Sequence, residues 1–420
     1  MRVRPCLIRG ARRLDPALGA DSVGDLFVED GAIRETPARL PPDTEIVEAR
    51  GLLLTPGLLD LHVHLREPGH EASETIETGL RAAAAGGFTT VVAMPNTAPP
   101  MDTPERLRAA LERAAAVAGG ARLLPSACLT RDRAGAEVGD LEALAAAGAA
   151  AFTDDGATVT DDATMREAMR RAARLGVVVM DHAQDRVAER DGAMHEGEFS
   201  RRLGLPGIPS AAEARVIARD IALARETGAR LHIQHITSRE GVELVRAAVA
   251  EGLPVSAEAT PHHLALTDAD VRPDDANYKM NPPLRSEEDR EAIAAAVLDG
   301  TISALATDHA PHTAESKARG FRAAPFGVIG LETAVGVTWT LLVRGLKLSP
   351  LEWLRRWTTG PARVLGLPPP TLAPGAPADL ALLETATPWR VESARFLSKS
   401  RNTPFEGWTL YGHAVRVWRA

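Results

Sequence analysis

The stretch LLDLHVHL at residues 58–65 is an apolar run that carries one aspartate and two histidines. Runs with so little polar alternation are typical of strands that are buried on both faces of a parallel sheet. Seven further runs of similar length follow it, each ending in polar residues: TTVVAMPN (89–96), RLLPSACLT (122–130), AAAFTDDG (149–156), GVVVMDHAQ (176–184), RLHIQHIT (230–237), PVSAEATPHH (254–263) and SALATDHAPH (303–312).

Alanine-rich segments of helical period separate these runs, for example DATMREAMRRAARLG (162–176). Several of them have Asp, Ser or Thr near the start and Gly at the end, as helix caps require. Eight strand and helix alternations in about 300 residues predict an α/β fold, a (β/α)8 barrel of the TIM type. The functional side chains of such a barrel lie at the carboxyl ends of its strands.

The two ends of the chain have a different pattern, with short alternating strands and turns rich in Gly and Pro. We therefore expect residues 1–55 and 366–420 to join in a small composite β-sandwich domain. Residues 56–365 would then form the catalytic barrel domain beside it.

Composition excludes several classes of protein. The 420 residues are 45% hydrophobic with a net charge of −8, and the basic residues form no long run that could follow a phosphate backbone, so no nucleic-acid partner is expected. No apolar stretch reaches the roughly 18 residues of a membrane span, and the N-terminus lacks the apolar core of a signal peptide. A cytoplasmic protein without membrane contact is expected. Cys6 and Cys128 are too few for a disulfide framework or a zinc–thiolate cluster.

The first run suggests a metal site. His62 and His64 are two residues apart on a predicted strand, so both side chains project from the same face, into the barrel. Two imidazoles placed in this way can bind one metal ion. A single strand histidine would more often be a hydrogen-bonded core residue.

Later runs end in further candidate ligands, which are Asp154, Asp155, His182, His235 and Asp308. Buried carboxylates are costly unless a cation compensates their charge, so this set predicts divalent metal. Imidazole nitrogen with carboxylate oxygen and no thiolate suits zinc best. Four histidines and two carboxylates, counting one of the adjacent Asp154 and Asp155, exceed one tetrahedral shell, which favours two bridged zinc ions per chain.

This constellation resembles the amidohydrolase superfamily. Many of its members bridge their two metals with a carboxylated lysine, but the present chain has no lysine between residues 1 and 278. In this respect it is similar to the bacterial type I dihydroorotases, as it is in the strings HVHLREPG, GGFTTVVAMPNT, TPHHL, MNPPLR, ATDHAPH and SKSRNTPFEG. The resemblance implies that Asp155 is the bridging ligand, and that Asp154 faces away from the metals or supports the site.

The resemblance also implies a substrate and a set of contacts. Dihydroorotate carries one carboxylate and N-carbamoyl-L-aspartate two, so a cation is needed near the metals, and the guanidinium of Arg66 fits a carboxylate. The implied substrate site comprises the side chains of Arg66, Asn96, Asn281 and His312 with backbone groups of His64, Phe326 and Gly327.

The expected reaction is the zinc-dependent, reversible cyclisation of N-carbamoyl-L-aspartate to dihydroorotate in pyrimidine (UMP) biosynthesis. In the hydrolytic direction a hydroxide that bridges the metals attacks the ring amide, and Asp308 acts as general base and then as general acid. His262, His263 and His309 are expected to orient neighbouring groups or to face away from the metals.

Two other functions stay open on the sequence. One is a related cyclic amidohydrolase, such as a dihydropyrimidinase, hydantoinase or allantoinase, whose substrates lack the ring carboxylate. The other is a non-catalytic scaffold for aspartate transcarbamoylase, which the six filled ligand positions argue against. An active enzyme can also bind that partner, and a homo-oligomer is expected.

Overall fold

The computed structural model describes residues 4–420, and strands from both ends of the chain pair in one seven-stranded sheet. Its strands are β1 (Cys6–Asp15), β2 (Ala20–Glu29), β3 (Ala32–Arg34), β4 (Glu45–Glu48), β5 (Leu53–Pro56), β16 (Leu380–Arg390) and β17 (Thr409–Trp418). They lie in the order β17-β16-β5-β1-β2-β3, and β4 pairs with β1. The antiparallel pair of β5 and β16 joins the two ends, with Leu54 opposite Leu382.

Eight parallel strands form the barrel, and they lie side by side in chain order. They are β6 (Leu58–Val63), β7 (Phe88–Ala93), β8 (Arg122–Ala127), β9 (Ala151–Phe152), β10 (Val178–Asp181), β13 (Leu231–Ile233), β14 (Val255–Ala259) and β15 (Ala304–Leu305). The segment that follows the last strand meets the first strand through a bridge between Val63 and His309, where the His64 N–H donates to the His309 carbonyl at 2.8 Å. Two short strands, β11 (Met194–His195) and β12 (Gly207–Ile208), pair outside the barrel.

Helices connect the strands and cover the barrel. They are α1 (Ile76–Ala85), α2 (Pro104–Ala115), α3 (Leu141–Ala146), α4 (Asp162–Leu175), α5 (Arg186–Glu189), α6 (Glu198–Leu203), α7 (Ser210–Thr227), α8 (Arg239–Ala250), α9 (Pro261–Ala265), α10 (Glu287–Asp299), α11 (Ala314–Lys317), α12 (Ala334–Thr338), α13 (Pro350–Trp357) and α14 (Thr359–Leu365). The caps follow the sequence pattern: Asp161 accepts from the Thr164 N–H at the start of α4, and Gly176 ends it in the left-handed region.

The main hydrophobic core lies between the barrel strands and the helices around them. Phe88 on β7 and Trp357 on α13 are fully buried in edge-to-face contact, with ring centroids 5.2 Å apart. The expected barrel, with a β-domain built from both chain ends, is confirmed. The exact division at residues 55 and 366 stays a prediction.

The part of the chain from residue 4 to residue 420 contains no helix with the length and apolar character needed to cross a bilayer.

Candidate active site

Six of the side chains selected from the sequence come together at the carboxyl ends of the barrel strands. They lie on or just after five different strands and are all buried, none more than 6% exposed: His62, His64, Asp155, His182, His235 and Asp308. Strand β6 places its two histidines on the same face because successive side chains alternate. Loop residues that follow β9, β10, β13 and β15 supply the other four.

Within this cluster two overlapping triads bring possible ligand atoms within 4.8 Å of one another. One triad is His62, Asp155 and His235, and the other is His62, His64 and Asp308. The Nε2 atom of His62 lies 3.3 Å from Asp155 Oδ1 and 3.5 Å from Asp308 Oδ1. His182 belongs to neither triad, but its Nδ1 lies 3.8 Å from Asp155 Oδ1.

Hydrogen bonds outside the cluster fix the direction of three imidazoles. His62 donates from Nδ1 to Glu258 Oε1 at 2.9 Å, His64 from Nδ1 to Asn96 Oδ1 at 2.9 Å, and His182 from Nε2 to Gln184 Oε1 at 2.8 Å. In a neutral imidazole the other ring nitrogen then carries a lone pair. For all three rings that nitrogen faces a carboxylate oxygen, an arrangement that needs a positive charge between the two atoms.

The unpaired atoms of the cluster fit a cation. Among the described residues, His62 Nε2, Asp155 Oδ1 and His235 Nδ1 are buried and have no hydrogen-bond partner. Buried polar atoms are normally paired, because leaving one unpaired costs free energy. Imidazole nitrogens and carboxylate oxygens are a donor set that zinc accepts, so the residues present fit a divalent metal of this kind.

The electrostatic field of the cluster also favours a cation. Burial would lower the pKa of His62, but the carboxylates of Asp155 and Asp308 outweigh burial and hold that pKa well above its usual range. Burial would raise the pKa of Asp155, and the surrounding imidazoles, chiefly that of His62, hold it well below its usual range. The centre of the cluster therefore favours positive charge.

Glu258 is a supporting residue that sequence reasoning missed. It is fully buried on β14, where Oε1 accepts from His62 and Oε2 accepts from His232 Nε2 at 3.0 Å. These two bonds outweigh the effect of burial and lower the pKa of Glu258 to about 2, so the residue is a carboxylate. The sequence feature that could have indicated this role is an acidic residue inside a short run of small and apolar residues, VSAEA.

Asp60 is a second supporting residue that was missed, and it joins the first barrel strand to the last. One carboxylate oxygen, Oδ1, accepts from the backbone N–H of His62 at 3.1 Å and from that of Thr307 at 3.0 Å. Thr307 Oγ1 donates to Oδ2 at 2.6 Å. Asp60 therefore fixes strand β6, which carries His62, against the segment after β15 that carries Asp308.

The two adjacent aspartates face different ways. Asp155 faces the histidines, whereas Asp154 accepts from the Thr130 N–H at 3.1 Å and from the Thr130 hydroxyl. Burial raises the pKa of Asp154 to about 6. Asp154 thus stabilises the end of strand β9 from outside the cluster.

A cavity of about 230 Å³ opens directly above the cluster. It is lined by every residue that the sequence assigned to substrate binding, together with four of the candidate ligands and two small residues: His64, Arg66, Asn96, Asp155, Gly156, His182, His235, Asn281, Asp308, Ala310, His312, Phe326 and Gly327. The cavity therefore places a cation, amide groups and the candidate metal ligands around one small space.

Arg66 is held at the rim of this cavity. Its Nε donates to the Pro311 carbonyl at 3.1 Å, and its Nη2 lies 3.4 Å from His312 Nε2. Burial lowers the pKa of Arg66 to about 10, so the guanidinium stays cationic at neutral pH. Burial and the nearby charge of Arg66 lower the pKa of His312 to about 3, and His312 Nε2 donates to the Phe326 carbonyl at 2.6 Å.

The backbone is strained at three of these positions. Arg66, His235 and Asp308 have φ values of 61°, 30° and 46°, in the left-handed region that non-glycine residues rarely adopt. Such strain persists only where the surrounding structure imposes it, and it is frequent at functional sites.

Two of the other histidines at the strand ends, His263 and His309, form hydrogen bonds outside the cluster, as expected. His309 lies 3.3 Å from Glu74 Oε2 through Nε2 and accepts from the Gly330 N–H through Nδ1. His263 donates to the Pro282 carbonyl at 2.9 Å. His262 is buried, belongs to neither triad, and has a pKa lowered to about 3 by burial.

Comparison with known proteins gives relatives named dihydroorotase that match over nearly the whole chain. A family model described as Dihydro-orotase-like matches residues 51–241. The dihydroorotase of Pelotomaculum thermopropionicum is 47% identical over 407 residues, which are 97% of this chain and 95% of that protein. The dihydroorotases of Bacillus caldolyticus and Anaeromyxobacter dehalogenans are 50% and 48% identical, over 90% and 98% of this chain and 88% and 95% of theirs.

Solved structures with the same architecture carry other names. The L-hydantoinase of Arthrobacter aurescens superposes with a TM-score of 0.86 at 24% identity, covering 100% of this chain and 95% of that one. The D-hydantoinase of a Thermus species gives a TM-score of 0.85 at 24% identity, covering 99% and 94%. At this level of identity the superpositions establish the fold.

Proposed function

The chain belongs to the dihydroorotase family, and we propose that it interconverts N-carbamoyl-L-aspartate with dihydroorotate and water, the ring-closing reaction of pyrimidine synthesis. The observation that carries the proposal is 47% to 50% identity to proteins named dihydroorotase over at least 90% of the chain. The cavity supports it, because a half-buried guanidinium beside a cluster of metal-ligand type suits a cyclic amide that carries a carboxylate.

The metal site of this proposal consists of His62, His64, Asp155, His182, His235 and Asp308, which would hold about two zinc ions. Divalent cations held there supply the Lewis-acid chemistry that polarises a carbonyl and makes water nucleophilic near neutral pH. The outward hydrogen bonds of His62, His64 and His182 keep their inner nitrogens free to bind metal.

Residues that line the cavity orient the substrate. Arg66 binds the ring carboxylate, because its guanidinium is cationic, lines the cavity and can offer two parallel N–H groups. Asn96 and Asn281 lie on other sides of the same space and offer amide groups to the carboxylate or the ring. The backbone of Phe326 and Gly327 closes the cavity beside His312.

Asp308 moves the proton in this mechanism. Its carboxylate borders the cavity and lies 3.1 Å from His64 Nε2. In hydrolysis, water adds its oxygen to the ring amide carbon, the C–N bond breaks, and the leaving nitrogen must gain a proton. A carboxylate at this point takes that proton from the attacking water and delivers it to the nitrogen, and ring closure reverses both transfers.

The substitution Glu258→Gln is expected to weaken zinc binding about 10- to 100-fold, because the acceptor that orients His62 and raises its basicity is lost. Competition with a chromophoric chelator measures the affinity. The exposed Glu243 on α8 provides the control as Glu243→Gln. Equal zinc affinity in the two variants would show that Glu258 plays no part in metal binding.

The alternative function, that of a related cyclic amidohydrolase, differs from the proposed one in its substrates, which lack the ring carboxylate. Ultraviolet assays of the purified chain should show hydrolysis of dihydroorotate far faster than that of dihydrouracil or hydantoin, neither of which can pair with Arg66. Preference for an uncharged ring would reject the proposed function, and no activity with any of the three would favour the scaffold function.

Proposals about assembly and location follow from the sequence. We propose that the chain forms a homo-oligomer, binds aspartate transcarbamoylase and is cytoplasmic. Light scattering of the purified chain, alone and mixed with the transcarbamoylase of the same organism, tests the first two.

A further inference from the structure

Asn402 is buried on the C-terminal segment SKSRNTPFEG (398–407), beside the loops that line the cavity. Its Nδ2 donates to the carbonyl oxygens of Ala310 and Gly327, each at 3.1 Å. Its Oδ1 accepts from the backbone N–H of His312 at 3.1 Å, and its own carbonyl accepts from the Ile329 N–H at 2.9 Å. One side chain thus holds the backbone of two separate loops.

The backbone groups that Asn402 holds belong to the cavity wall. Ala310, His312 and Gly327 all line the cavity. Between the first two lies Pro311, whose carbonyl accepts from Arg66 Nε at 3.1 Å. The orientation of the guanidinium therefore depends on a stretch of backbone that is fixed on both sides by Asn402.

The segment that carries Asn402 is itself anchored to the barrel. Glu74 is fully buried and accepts from the Lys399 N–H at 3.1 Å and from the Ser398 hydroxyl. The Ser400 hydroxyl donates to the Ser73 carbonyl at 2.7 Å. These bonds give Asn402 a fixed position from which to hold the loops.

We propose that Asn402 is a positioning residue for substrate binding, which sets the loop backbone so that Arg66 and His312 meet the substrate carboxylate. This role rests on the proposed function. The carboxylate contact is made in the ground state and in the transition state alike, so its loss raises KM more than it lowers kcat. Substitution of a residue that merely stabilised the fold would not raise KM selectively over its effect on kcat.

The test compares Asn402→Ala and Asn402→Asp with the wild-type chain, assayed with N-carbamoyl-L-aspartate and with dihydroorotate. Both variants should raise KM about tenfold or more with kcat within about threefold and zinc content unchanged. Asp keeps the acceptor for the His312 N–H but loses the donor to the two carbonyls, so it carries the test if the Ala variant does not fold. Lys399→Ala, at an exposed site on the same segment, is the control and should keep the wild-type KM.

The possible results separate the two proposals. The positioning role is overturned if the wild-type chain is active and the folded Asn402 variants keep the wild-type KM. It is also overturned if these variants lose kcat alone. A wild-type chain inactive towards both substrates would overturn the proposed function and this role with it.

Discussion

Replacing Asp308 by Asn should lower kcat by about 10³-fold or more, because the amide cannot accept the proton of the attacking water. The carboxylate is placed for this task, since it borders the cavity and lies within 3.5 Å of the Nε2 atoms of both His62 and His64. Asn keeps an oxygen in the same place, so metal binding should persist. The variant therefore separates proton transfer from metal binding.

The measurement is kcat in both directions together with zinc content per chain. Asp274 is exposed in a loop of the described structure, and Asp274→Asn is the matched control, expected to keep wild-type kcat. A zinc-loaded Asp308→Asn chain that retains more than about a tenth of the wild-type kcat would contradict the role of Asp308.

Replacing Arg66 by Met should lower kcat/KM for dihydroorotate by about 10²- to 10³-fold, the usual effect of removing one partner of a buried, hydrogen-bonded ion pair. Met is similar in length but carries no charge, and the positive φ of 61° strains both residues alike. Any slow hydrolysis of dihydrouracil should change little, because its ring has no carboxylate for Arg66 to bind.

Steady-state rates with the two substrates measure this difference. Arg66→Lys keeps the charge without the paired N–H groups and should fall between wild type and Met. Arg108→Met, at an exposed site on α2, is the control. An equal loss of activity on both rings would mean that Arg66 maintains the site as a whole and does not recognise the carboxylate.

The parts of the site that follow from local rules could be predicted from the sequence. His62 and His64 share a face because strand side chains alternate, and the barrel topology brings the ends of distant strands to one mouth. The strands themselves are shorter than the apolar runs, with only two residues in β9 and in β15. Asp155, His182, His235 and Asp308 follow the ends of their strands and line the cavity.

The supporting residues could not be predicted in the same way. Glu258 and Asp60 are single acidic residues on strands, and only the packed barrel shows that their partners are His62, His232 and Thr307. Asn402 lies far along the chain from its partners Ala310, His312 and Gly327, so no rule of sequence spacing predicts their contact. Contacts of this kind depend on tertiary structure alone.

Zinc content and dihydroorotate hydrolysis, measured on the same sample before and after chelation, decide whether ring opening depends on metal held by the barrel cluster. About two zinc ions per chain are expected in the active protein, with loss of activity as they are removed and recovery when zinc is restored. The same assay on Asp155→Ala should show low zinc content and no recovery. Full activity in a chain stripped to less than about 0.1 zinc ion would show that the barrel cluster does not act through metal.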